Sequence, residues 1–335
     1  MGRRAATGGA TLKSSRPTLL GALVLMSSFA HVAGCSGLNP DLVVRTTHSA
    51  PSYGMAINRN GQRLATASED STIEVRELPS GHLLHRLQGH QDGVRVVEFS
   101  PVNETLASGG WDGTLRFWDA LTGTELSELG AHTDRVYAIA FSPNGRLIAS
   151  ASVRSVKVWD VSSGQMKMEC AGHDAKVHGV AFSPDGRVLA SADFSGIIKL
   201  WSIETGHELK SFSEGHINIM GIAISPDGQL LASPSSRGTI ALWEIASGKV
   251  FRHLTERGQT AASLAFSPDG RLLASGSHEG IVSLWEMRSG RKVGTVVKLG
   301  SRAYGVAFSP RGDWFAALCS KDVSVRLWRT SRLPR

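Results

Sequence analysis

Serine, histidine and aspartate recur together along this chain, and in one pocket they could act as nucleophile, base and orienting carboxylate. The fullest set is His90, Ser108 and Asp112, followed by Trp118. Related sets return at a fixed interval: His48 with Asp70, and His132 with Ser150 and Trp159. Chemistry needs one constellation, whereas diluted copies at a constant period point to a hydrogen-bonded support used in every unit. The twelve histidines include no pair spaced as His-Glu-x-x-His. There is no phosphate-cradling or dinucleotide-binding glycine loop, and Asp185-Gly186, Asp227-Gly228 and Asp269-Gly270 lack the further carboxylates of a calcium loop. No catalytic residue, no metal ligand and no cofactor is therefore expected.

The elements that must position these residues follow from the period. An FSP-x-G stretch starts at Phe141, Phe182, Phe266 and Phe308, with relaxed copies at Ile57, Phe99 and Ile224. Successive starts are 41 or 42 residues apart, and six copies place a Trp 18 to 20 residues on: Trp118, Trp159, Trp201, Trp243, Trp285 and Trp328. The first copy has Arg76 there. In the third unit, Val136 to Phe141, Leu147 to Ser152, Val156 to Asp160 and Gln165 to Cys170 read as four short strands, with turns at Ser142-Pro143-Asn144-Gly145 and Ser162-Ser163-Gly164. Gly172-His173 should then open the next unit. A four-stranded antiparallel sheet cannot bury both faces alone, so such sheets must stack.

These residues resemble the WD40 repeat family over residues 41 to 335. Gly-His stands at Gly89-His90, Gly172-His173 and Gly215-His216, and Trp-Asp at Trp118-Asp119 and Trp159-Asp160. The resemblance implies an all-β, seven-bladed β-propeller. Six fourth strands are expected near His82, Thr124, Gln165, His207, Lys249 and Arg291, and too few residues follow Trp328 for a seventh. Leu42 to Thr46 should supply it, so that an N-terminal strand pairs into the last blade and closes the ring. The resemblance also implies a structural tetrad, matched fully by His90, Ser108, Asp112 and Trp118. Unit three lacks the Asp, unit four has Ser195 in its place, unit five Arg237, and unit six Arg257 at the His position. Unit one lacks the Trp, and unit seven lacks the His. These weaker units are expected to rely on aliphatic packing.

The first 34 residues read as a signal peptide: basic Arg3, Arg4, Lys13 and Arg16, then an apolar run from Leu19 to Val32 that is short for a membrane span. Val32-Ala33-Gly34-Cys35 resembles the bacterial lipobox, which implies cleavage before Cys35 and lipid attachment to it. An uncleaved anchor, or an ordinary signal peptide with a chance Cys, is the alternative. Ser36 at the following position favours the outer over the inner membrane. Residues 35–40 would be a short tether leaving from the bottom rim, with the top pointing away from the bilayer. Cys170 and Cys319 are expected as unpaired thiols.

Formal charge is +7, but the leader holds four of those charges and no acid, so the remainder is about +3 and no nucleic acid partner is expected. The family often recruits partners on the rim shared by the fourth-to-first and second-to-third loops, here called the top. Carried over residue by residue, this gives Tyr53, Arg95, Tyr137, His178, Ala262 and Tyr304 five places past the His position, and with them Met220, on a one-residue shift. Arg135, Lys176 and Arg302 lie three places past it, and Trp111, Phe194, His278 and Lys321 precede the Asp position. Tyr, Trp, Arg and Met are enriched in interface cores. The expected protein is a non-catalytic scaffold, a monomer in the bacterial cell envelope, with a membrane contact through its lipid and a protein or peptide partner on the top face. Two other readings are a ligand or glycan sensor stacking on aromatics such as Trp111, and a propeller hydrolase or lyase using His178, Arg95 and Tyr137. Loss of glycan binding in Trp111→Ala would favour the first, and loss of turnover on changing His178 the second.

Overall fold

The computed structural model describes residues 37–215, 219–235, 238–255 and 258–333. The expected signal peptide, Cys35 and Ser36 lie outside the described residues, as do His216, Arg237 and Arg257. Apart from one 3-10 turn at Thr330–Arg332, the regular elements described are all strands.

The repeated motif folds as its chemistry dictates. In Ser267-Pro268-Asp269-Gly270 the serine hydroxyl donates to the Asp269 carboxylate at 2.6 Å and accepts the Leu272 N–H at 2.9 Å. Gly270 sits at φ +70°, where a side chain would be strained. The same bonds recur at Ser183 and Ser225, and with Asn144 as the acceptor at Ser142. The preceding aromatic turns inward: Phe99, Phe141 and Phe182 are buried, and Phe266 and Phe308 are half-buried against the core. Each motif thus fixes one hairpin and anchors it in the core.

Five sheets have four antiparallel strands, and one has seven. The larger sheet joins the third and fourth units through a single strand, Met166–Phe182, which runs through the expected break at Gly172-His173. The reason lies in the shortened turn of unit three. Ser152 N–H donates to Ser155 O at 2.9 Å, Arg154 takes φ +60°, and Val153 pairs with Lys176. The third strand is lengthened to Val153–Asp160, and pairing carries past the unit boundary. The first strands of successive units lie side by side, and Gly305–Phe308 in turn neighbours Ser52–Ile57. Valine, leucine, alanine and phenylalanine fill the space between adjacent sheets, with a tryptophan in each of these cores.

Leu42–Arg45 pairs antiparallel with Ser324–Arg329, from Leu42 opposite Leu327 to Arg45 opposite Ser324. The residues before it are not a free tether. Leu38 N–H donates to Val296 O at 2.7 Å, and the Trp328 indole donates to Leu38 O at 3.1 Å. The Asp41 carboxylate accepts the Arg329 N–H at 2.8 Å and pairs with Arg332. A Cβ on Gly37 would come within 2.8 Å of Val296 O, so this backbone lies flat on the strand Lys292–Lys298. Val296 is near the top end of that strand. The expected exit from the bottom rim is therefore corrected: the chain folds back along the flank of units six and seven.

Candidate interaction surface

The site rests on hydrogen-bonded supports between strands. In unit two the Trp118 indole donates to Ser108 Oγ at 2.9 Å, and Ser108 Oγ lies 2.8 Å from His90 Nε2. A serine that accepts from the indole has its own proton to give, so it donates to Nε2, leaving the His90 Nδ1–H to face Asp112 at 3.0 Å. Burial opposes ionisation of Asp112, yet the bonds from His90 and from the Gln91 and Thr114 N–H groups hold its carboxyl well below the usual range. The expected tetrad is present here.

Unit four holds a second complete set that the sequence alignment missed. His173 contacts Asp193 at 2.7 Å and Ser191 at 2.7 Å, and the Trp201 indole donates to Ser191 at 2.8 Å. Ser195, aligned with Asp112, is not the substitute: its hydroxyl donates to Asp193 at 2.6 Å. The carboxylate has moved two residues toward the N-terminus, to the place of Gly110. An Asp between Ala192 and Phe194, two residues after Ser191, was the available signal.

In units one and seven, polar groups rather than aliphatic packing meet the missing members, and for those two units that expectation is corrected. In unit one, Glu74 is fully buried, receives Arg76 and Arg86 at 2.7 Å each, and accepts the Thr47 N–H at 3.0 Å. Arg76, at the Trp position, pairs with Leu64 as Trp118 pairs with Leu106. In unit seven the Trp328 indole, with Ala317 where Ser108 would be, uses the carbonyl of Leu38. Units five and six keep the bonds from Trp243 to Ser233 and from Trp285 to Ser275. Cys170 and Cys319 are buried and unpaired.

Above these supports, all seven residues of the five-places-past-His set line one cavity of about 220 Å³ between the first strands. The other carried-over positions reach the same mouth through ring contacts, except Lys321, which is exposed and bonds Ser301 Oγ through its N–H at 3.2 Å. Trp111 lies 5.6 Å from Tyr53, Tyr53 lies 5.4 Å from Tyr304, and Tyr304 lies 5.9 Å from His278. His278 Nε2 is 3.1 Å from Met220 Sδ. Across the mouth, Tyr137, His178 and Phe194 stack in turn at 4.5 and 5.6 Å. Cations cover the rings: Arg135 on Trp111 at 4.5 Å, Lys176 on Tyr137 at 5.7 Å, and Arg302 on Tyr304 at 5.8 Å. Arg95 lies over both Tyr53 and Tyr304, at 5.1 and 5.4 Å.

A family model described as IFT122 first beta-propeller matches residues 51–329. The chain belongs to that family. No curated protein matches it.

The propeller's mouth has a definite electrostatic character. Burial lowers the pKa of Arg95, partly offset by the tyrosines around it, and its guanidinium has no carboxylate partner among the described residues. Burial, then the charges of Arg95 and Lys176, push His178 down to about 4, so it is neutral at pH 7. Burial and the hydrogen bond to Glu69 push Tyr53 up to about 12. The mouth therefore offers an unpaired cation between aromatic faces, a setting that favours a carboxylate or other anion.

Proposed function

We propose that this propeller is a non-catalytic interaction platform, its sheets forming a seven-bladed ring closed by Leu42–Arg45, with a protein or peptide partner docking on the top mouth. The supporting observation is the convergence of Tyr53, Arg95, Trp111, Arg135, Tyr137, Lys176, His178, Phe194, Met220, His278, Arg302 and Tyr304 around one opening. Rigid aromatic and arginine side chains are the types from which binding hot spots are built. Arg95 suits an acidic side chain or carboxyl terminus of the partner.

The non-catalytic reading draws support from His178. It is neutral, packs on Tyr137 and Phe194, and has no hydroxyl or thiol hydrogen-bonded to it among the described residues. On the export reading, Cys35 carries a lipid in the cell envelope, with the outer membrane preferred. Cys35 is two residues from Gly37, about 7 Å of extended chain. The lipid would then hold the flank of units six and seven against the bilayer.

The test is a crosslinking pull-down from envelope membranes with the wild type and a Trp111→Ala, Tyr137→Ala, Tyr304→Ala triple variant, alongside lipid labelling of the wild type and Cys35→Ser. The reading expects a partner at least tenfold depleted in the triple variant, and label lost only with Cys35. Equal recovery of every partner would overturn the docking surface, and unchanged labelling would overturn the anchor.

A further inference from the structure

The opposite end of the inner cavity breaks the repeat at one residue. Ala56, Ala140, Ala181, Ala223, Ala265 and Ala307 occupy the place before the motif's Phe or Ile in six units, and the second unit has Glu98. Glu98 lies on the strand Val94–Phe99 and lines a cavity of about 980 Å³ at the bottom mouth. One carboxylate oxygen accepts the Phe141 N–H at 3.0 Å, and no cation pairs with it among the described residues. Burial, only partly offset by that N–H, pushes the carboxyl up to about 8.

The other charged side chains lining this cavity are Arg59, Glu104 and Arg311. Glu104 is spoken for by Arg63 at 3.2 Å and by the Asn58 amide at 3.0 Å. Arg59 and Arg311 are exposed on the hairpin turns at the rim and have no ion-pair partner among the described residues. One acid at depth and two open cations at the rim are complementary to a molecule with an amine at one end and a carboxylate at the other. Glu98 is one residue inside the end of its strand, whereas Arg59 and Arg311 stand on turns beyond the ends of theirs, so the acid and the cations sit at different depths of the cavity. A ligand that meets both must carry its two charges at opposite ends of an extended backbone, as a short peptide does.

We propose that the bottom mouth binds a short unblocked peptide, its ammonium entering to Glu98 and its carboxylate held by Arg59 or Arg311. The ammonium supplies the charge-assisted donors that the half-buried carboxyl lacks, and the rim arginines select against a bare cation. At pH 7 the bound ammonium draws Glu98 into its ionised form, so a proton leaves on binding. This site is separate from the top mouth, and its failure would leave the docking surface untouched.

Glu98→Ala is the decisive variant, because it installs the residue that six units already carry and should fold normally. Titration calorimetry of the full chain with trialanine at pH 7 is expected to show binding, with heats that depend on the buffer's ionisation enthalpy. N-acetyl-trialanine, or trialanine with Glu98→Ala, should bind at least tenfold more weakly. Trialanine amide, or trialanine with the Arg59→Ala, Arg311→Ala pair, should lose a smaller factor of about three to ten. No binding to the wild type, or equal binding to Glu98→Ala at unchanged melting temperature, would overturn the proposal. Tighter binding of butylamine than of trialanine would overturn the peptide assignment.

Discussion

Units two and four build the same hydrogen-bond circuit from different sequence positions. In unit two the carboxylate comes from Asp112 and the position two residues before it is Gly110. In unit four it comes from Asp193 and the position two residues after it is Ser195. The exchange is enforced by space: a Cβ on Gly110 would stand 2.4 Å from both Asp112 Oδ1 and His90 Nδ1. There is room beside the histidine for one carboxylate, and whichever position supplies it obliges the other to be small. What is retained is the acceptor at Nδ1, because a buried imidazole N–H without one costs about 1–3 kcal/mol.

The largest effect should follow from putting both groups in at once. Gly110→Ala forces a methyl into that 2.4 Å gap, so either His90 or Asp112 must leave the network. The expected loss is about 4 kcal/mol, combining overpacking with an unpaired buried group, and denaturant unfolding would measure it. The double variant Gly110→Asp, Asp112→Ser rebuilds unit four's arrangement in unit two and should recover to within about 1 kcal/mol of the wild type. If it unfolds as readily as Gly110→Ala, the two positions are not interchangeable and the comparison fails.

A somewhat smaller effect is expected from Asp193→Ala. Asp193 accepts from His173, the Ser195 hydroxyl, and the N–H groups of Ser195 and Ile197. Its removal should cost about 3 kcal/mol by thermal or denaturant unfolding. Ser195→Ala removes one hydroxyl bond to that carboxylate and should cost about 2 kcal/mol. A reversal of that order would make Ser195, and not Asp193, the essential member.

The contrast also separates what the sequence showed from what it hid. Strands and turns were legible because FSP-x-G and Trp recur at one period, and each motif closes its own hairpin locally. The residues around the top mouth were legible for the same reason, since near-constant offsets from each unit's His position place them at equivalent heights on neighbouring strands. The move from Asp112 to Asp193 was hidden because alignment compares columns, while the histidine senses only where a carboxylate oxygen lies. The Leu38 carbonyl under Trp328 was hidden more deeply, as a backbone acceptor brought 290 positions along the chain has no sequence signature. Glu98 was visible as one acid in a column of alanines, but its meaning depends on facing a cavity rather than a partner strand.

Unit three supplies the case with no carboxylate, and with it the mildest expected effect. His132 Nε2 is 2.9 Å from Ser150 Oγ, and the Trp159 indole donates to that oxygen at 2.9 Å. Burial, then the charge of Lys157, pushes His132 down to about 4, so the folded state keeps it neutral. In the unfolded chain it titrates near 6.5. Between those values the unfolded state binds the extra proton, so stability is complete above about 6.5 and declines as pH falls toward 4. His132→Gln should flatten part of that decline, seen as a smaller loss of melting temperature between pH 7 and pH 4. Ser152→Asp, which places a carboxylate at unit three's counterpart of Asp193, should raise the His132 pKa measured by NMR titration. It would do so at the expense of the 2.7 Å bond that Ser152 Oγ donates to Arg135 O, leaving a net stability change within about 1 kcal/mol. An imidazole pKa that stays near 4 in that variant would mean the counterpart position cannot reach the ring, and that unit four's geometry is particular to its own turn.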